Sequence, residues 1–84
     1  MPFSAIQGGI IMREPEELPL APLERLLRKE GAERVSEDAC KVLGVALEDY
    51  SRIIARKAKD YSAHAKRKTI KAEDIELALR DLNI

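Results

Sequence analysis

The 84-residue sequence has one cysteine, one histidine, no tryptophan and only three aromatic residues, and its charges cancel. With Cys40 alone, no disulfide can form within the chain. One His and one Cys do not make the four-ligand set of a structural zinc site, so no metal or cofactor is expected. No apolar run reaches eighteen residues, so no segment reads as a membrane span. The N-terminal apolar residues Ala5, Ile6, Ile10 and Ile11 are interrupted by Gln7-Gly8-Gly9 and lack the basic lead of a signal peptide. The expected location is therefore cytoplasmic. There is no Ser-His-Asp set, paired-carboxylate motif or Gly-rich phosphate loop, and an enzyme is not expected. A chain this short, without disulfides or metal, lies near the lower limit for folding alone. Pairing with another chain is the remaining route to stability.

Residues 1–17 read as an N-terminal extension. They hold Gly8, Gly9 and Pro15, show no sustained period and end in Glu14-Pro15-Glu16-Glu17. The segment is expected to be poorly ordered, and either Met12 is an alternative start or the segment is not native to the chain. From Leu18 to the end, 18–84, the pattern is helical. Leu20, Leu23, Leu26 and Leu27 recur at helical spacing, Pro22 suits a first turn, and Gly31 supplies the stop. The first helix is predicted at about 21–30. Ser36 is an N-cap, with Glu37 and Asp38 at the positive end of the next helix. Ala39, Leu43, Ala46, Leu47, Tyr50, Ile54, Ala58, Tyr61 and Ala65 then trace one stripe, which reads as core. Gly44 is the run's one weak point. This predicts a helix of about 28 residues, roughly 40 Å long, more than its own chain can cover. After Lys66-Arg67-Lys68 and the strand-prone Thr69-Ile70, a last short helix begins near residue 72.

The zero net charge conceals an uneven distribution. Residues 56–71 carry seven basic groups (Arg56, Lys57, Lys59, Lys66, Arg67, Lys68, Lys71) against Asp60, whereas 73–81 carries four acids and one Arg. The first seventeen residues have one Arg against three Glu, a net of −2, leaving +2 for the rest. A local basic surface is what attracts a polyanion.

Three segments, Leu18-Pro19-Leu20-Ala21-Pro22, Gly31-Ala32-Glu33-Arg34-Val35-Ser36 and Arg67-Lys68-Thr69-Ile70-Lys71-Ala72-Glu73-Asp74-Ile75-Glu76-Leu77-Ala78, closely resemble archaeal histones, over residues 17–82. The resemblance implies an all-α histone fold of short helix, long central helix and short helix, interlocked head to tail as a homodimer. It implies that the first loop of one chain lies beside the second loop of its partner, so that Arg34 and Val35 approach Lys68, Thr69 and Ile70 at both ends of the dimer. The implied partner is double-stranded DNA, bound and wrapped without sequence reading as a chromosome- or nucleoid-associated protein. The implied DNA contacts are Arg25 on the first helix, Arg34 in a narrow minor groove, Ser36, Lys66, Lys68, Thr69 and Lys71. Arg67 is implied to pair with Asp74 and brace the second loop. Tyr61, His64 and Asp74 are implied at a dimer–dimer interface, from which tetramers or a superhelix would build.

Each of these residues has a plainer reading. Lys66-Arg67-Lys68 alone is a solvated helix end, Arg34 an ordinary loop residue, the Arg67–Asp74 pair an exposed ion pair of little worth, and His64 a plain helix histidine. Cys40 reads as a tolerated small residue, although a first-turn thiolate would be favoured there. Tyr61 stands where the family pattern leads one to expect an aliphatic side chain, and Ala63 and Lys66 where it often has a basic residue and a glycine. These departures, the acidic extension and the Asp81-Leu82-Asn83-Ile84 terminus lead to an expectation of weaker DNA affinity. The alternative function is a histone-fold protein-interaction subunit with weak DNA binding, and a heterodimer with a related histone is the alternative assembly. A helix-turn-helix reader does not fit a helix of this length.

Overall fold

Three helices make up the described residues, 13–82, of a computed structural model: α1 (Leu20–Lys29), α2 (Glu37–His64) and α3 (Ala72–Asp81). The order is short, long, short, and no strand occurs among the described residues. Thr69 and Ile70, despite their strand propensity, lie in an exposed loop. The expectation of poor order for the extension falls outside the described residues over 1–12. No helix among the described residues is long and apolar enough to cross a membrane.

Local chemistry explains the helix ends. α1 follows the extended Pro19, and Pro22 sits in its first turn, where a missing N–H removes no helical bond. Arg28 and Lys29 lie in the last turn, opposite the negative end of the helix dipole. At the start of α2 the N–H of Ala39 donates to Ser36 Oγ at 3.0 Å, with Glu37 and Asp38 behind it. Ser36 is thus the N-cap its sequence position suggests.

The C-termini of α1 and α2 close in the same way. After α1 the N–H of Gly31 donates to the Arg28 carbonyl and that of Ala32 to Leu27. After α2 the N–H of Lys66 donates to Ala63 and that of Arg67 to Ser62. This paired pattern needs a left-handed residue after the cap. Gly31 meets that need with φ +109°, whereas Lys66 meets it with φ +61° and carries a Cβ into that region.

The chain divides into two compact units, one ending at Asp49 and the other beginning at Tyr50. In the first, Leu23, Cys40 and Val45 form the buried apolar core. Residues 13–18, of which 13–17 were assigned to the extension, cross α2 here. Pro15 passes so close to Gly44 that a Cβ on residue 44 would lie 2.5 Å from Pro15 Cγ and 3.1 Å from Leu23 Cδ1. Gly44 is therefore the crossing point of the lead-in segment rather than a mere weakness of the helix. Glu48, 7% exposed, accepts the N–H groups of Glu16 (2.9 Å), Glu17 (2.5 Å) and Leu18 (2.7 Å). Arg13 pairs with Asp49 at 3.3 Å and Lys41 with Glu14 at 2.9 Å.

The face of α2 covered in this unit is thus Cys40, Gly44, Val45 and Glu48, which differs from the stripe expected as core. Of that stripe, Ala39 and Leu47 are exposed and Leu43 and Ala46 only half-buried, because the lead-in segment and α1 cover one side of the helix alone. Leu26 of α1 is 57% exposed. In the second unit Ala58 and Ala78 are the buried apolar residues, while Ile70 and Ile75 are exposed and Tyr50, Ile53 and Ile54 half-buried.

The two helix ends give opposite expectations for glycine exchange. Lys66→Gly relieves the left-handed penalty and should raise stability by about 1 kcal/mol. Gly31→Ala places a Cβ at φ +109° and should lower it by about 1–2 kcal/mol. Urea midpoints at fixed protein concentration, with unchanged m values, check both.

Candidate nucleic-acid interface

In the second compact unit the geometry centres on Arg67. Its Nη1 donates to the Thr69 carbonyl and to Asp74 Oδ2, both at 2.9 Å, while Nη2 donates to Asp74 Oδ1 at 3.1 Å and Glu73 Oε2 at 3.2 Å. The guanidinium fork thus matches the Asp74 carboxylate with two parallel bonds, the strongest arrangement available to this pair. Asp74 is 1% exposed, and its Oδ2 also accepts the N–H of Lys71 at 2.8 Å. One buried carboxylate therefore caps α3 and holds the loop before it. Glu73 joins the brace without having been expected there. Its position in the acidic first turn of α3, one residue before Asp74, is the signal that could have included it.

Because Arg67 is turned inward, the cations offered to solvent are its neighbours. Lys66, Lys68, Thr69 and Lys71 are all exposed on a loop whose backbone is fixed at both ends. In the first unit Arg25 on α1 and Arg34 in the first loop are exposed, as is Ser36, whose Oγ is engaged at the α2 N-cap. Arg28 ties that loop down, donating to the Glu33 carbonyl at 3.1 Å and to Glu24 at 3.0 Å. No side chain caps the N-terminus of α1.

Tyr61 and His64 line an open cleft with Lys57, Asp60 and Asp81. Tyr61 donates its hydroxyl to Asp81 Oδ2 at 2.6 Å, and that bond, with partial burial and the Asp81 charge, pushes the phenol's pKa up. Asp74, grouped with Tyr61 and His64 by the family resemblance, does not line this cleft. Within one chain it is committed to Arg67 and Lys71. Asp81 was not among the expected site residues, since nothing in the sequence shows that the last turn of α3 returns to Tyr61. Cys40 is 3% exposed, which makes it a core residue. Among the described residues no group of three or more His, Cys, Asp or Glu side chains could hold a metal ion.

The Arg67 hydrogen bond, followed by the Lys71 N–H, draws the Asp74 pKa down from 3.8 to about 2, against the opposing effect of burial. A carboxyl whose folded value lies below its unfolded one adds stability that is complete above the unfolded value and fades as pH falls. The contribution should be full above about pH 4 and lost on approaching pH 2. Asp74→Asn should therefore lower the thermal midpoint at pH 7, with the gap from the parent closing between pH 4 and 2. A gap independent of pH would show that the charge of Asp74 is not what holds the loop.

Comparison with known proteins agrees with this architecture. Residues 16–79 match the family model described as histone-like transcription factor (CBF/NF-Y) and archaeal histone. The chain is 56% identical over 64 residues to a subunit of the archaeal histone HAN1 of Thermococcus zilligii, covering 76% of this chain and 96% of that one. It is equally identical, over the same length and shares, to the probable archaeal histone 3 of Methanocaldococcus jannaschii. The three-helix plan, the two capped loops and this match together place the chain in the family of archaeal histones and histone-like transcription factors.

Proposed function

We propose that two copies of this chain clasp through α2 and that the dimer binds and wraps double-stranded DNA without reading its sequence, as a non-enzymatic chromosomal protein in the cytoplasm. The observation that carries this reading is the second loop. Arg67 is consumed in bracing it, which presents Lys66, Lys68, Thr69 and Lys71 outward on a fixed backbone. Lysine ammonium groups, a hydroxyl and loop N–H groups suit phosphate oxygens and carry no base code. The half-open stripe of α2, with exposed Leu26, Leu47, Ile70 and Ile75, supports pairing, because a partner's long helix is the apolar surface such a stripe lacks.

In the proposed dimer the first loop of one protomer lies beside the second loop of its partner. Arg34 then joins the Lys68–Thr69 pair at each end and enters the minor groove, where the potential is most negative. The paired N-termini of α1, flanked by Arg25, form the central phosphate-binding place. Scaling from the eukaryotic octamer, each dimer would engage about 35 bp. Tyr61, His64 and Asp74 form the contact between dimers, from which tetramers or a continuous superhelix would grow. A second reading follows from the name of the Thermococcus relative, which describes it as one subunit of HAN1: the same surface would serve a heterodimer with a related chain.

Random-sequence duplex should be retarded by the purified protein at physiological salt. The log of the affinity should fall linearly with log salt, at about −0.9 per phosphate neutralised. Changing Arg34 and Lys68 to Ala removes four cations per dimer and should flatten that slope by about 3 to 4. Retention of the slope would assign these side chains no phosphate contact. Nuclease digestion of the complex should protect fragments that grow in steps of one dimer footprint, and mass spectrometry of the native protein separates the homodimer from a mixed one.

A further inference from the structure

Glu48 has no place in the phosphate-binding set described above, yet it is the most heavily engaged acid of its unit. Its carboxylate is buried and collects three consecutive N–H groups, those of Glu16, Glu17 and Leu18. Turning those donors inward leaves the Glu17 side chain in solvent, three residues before Leu20, where α1 begins. Further contacts join the segment to α2. Arg13 holds Asp49 and Lys41 holds Glu14, and Pro15 rests on the bare face of Gly44. The Glu14 hydrogen bond also raises the Lys41 pKa.

We propose that Glu48 is a positioning residue for DNA binding: it fixes residues 16–18 so that the Glu17 carboxylate stands at the α1 N-terminus and competes there with an approaching phosphate. The inference rests on the DNA-binding reading given above and names a regulator of its central phosphate-binding place. A carboxylate before a helix N-terminus satisfies the positive end of the dipole, the same feature that would attract a phosphate. A fixed charge does so more effectively than one averaged over a loose segment. Glu48 therefore lowers the DNA affinity of the dimer through another residue, without touching DNA.

The test compares four full-length variants by duplex titration at low and high salt. Glu17→Gln should tighten binding by about three- to tenfold at low salt, with the gain vanishing in about 1 M salt, where screening is complete within a few ångströms. Glu30→Gln removes an equal charge at the far end of α1 and should leave affinity within twofold. Gly44→Ala lifts Pro15 from α2 while favouring the helix, so it should recover part of the Glu17→Gln gain and add nothing in that background. Glu48→Gln, checked for folding by circular dichroism, should behave like Gly44→Ala. Equal effects of Glu17→Gln and Glu30→Gln would reduce the matter to net charge and overturn the proposal. So would a Gly44→Ala variant that binds as the parent does. Failure of the parent to bind duplex at all would instead bring down the DNA-binding reading, and this inference with it.

Discussion

A helix of 28 residues in a chain of 84 is the constraint from which the rest follows. Such a rod offers apolar side chains on more than one face, and α1 with its lead-in covers only the side of Cys40, Gly44, Val45 and Glu48. The other stripe, through Leu43, Leu47 and Tyr50, is half-buried or exposed, and in the proposed dimer a second copy of the rod would cover it. Head-to-tail pairing would use that stripe along its full length, and it would bring opposite loops of the two chains together at each end. In that proposal the DNA-binding ridge would be a by-product of how the long helix is buried.

Two buried carboxylates solve the same problem at different places. Each lies on a helix and accepts N–H groups of non-helical backbone that would otherwise need water. Asp74 does this for the loop before α3 and Glu48 for the segment before α1. Buried acids are retained only when such partners compensate for lost hydration. Both therefore act as fixed points from which a loop is aimed, and the aim decides which neighbouring charges face outward.

The fold was largely legible in the sequence because its determinants are local: Ser36 as a cap, Gly31 as a stop, Pro22 in a first turn, and a periodic run without proline. The Arg67–Asp74 contact was reached through the resemblance rather than through spacing alone. What escaped was non-local. Nothing in the order of residues shows that Pro15 crosses Gly44 or that the Tyr61 hydroxyl meets Asp81. The face of α2 covered within its own chain went unread for a related reason, since small residues such as Cys40 and Gly44 carry a weak hydrophobic signal even where packing is tightest. The signal for Glu48 was its place as a lone acid in line with those two positions, four residues apart along the helix. The placement of Arg25, Arg34, Lys66, Lys68, Thr69 and Lys71 at the surface shows that they are accessible, while their contact with DNA belongs to the proposed dimer.

The burial of Cys40 has a practical consequence. The molecule's sole sulfhydryl is 3% exposed, so a maleimide reaches it only when the surrounding structure opens. A second cysteine engineered onto an exposed loop would react first and alone. The native protein is in this sense already prepared for single-site fluorophore attachment, and the rate at which Cys40 itself is modified reports how often its surroundings open.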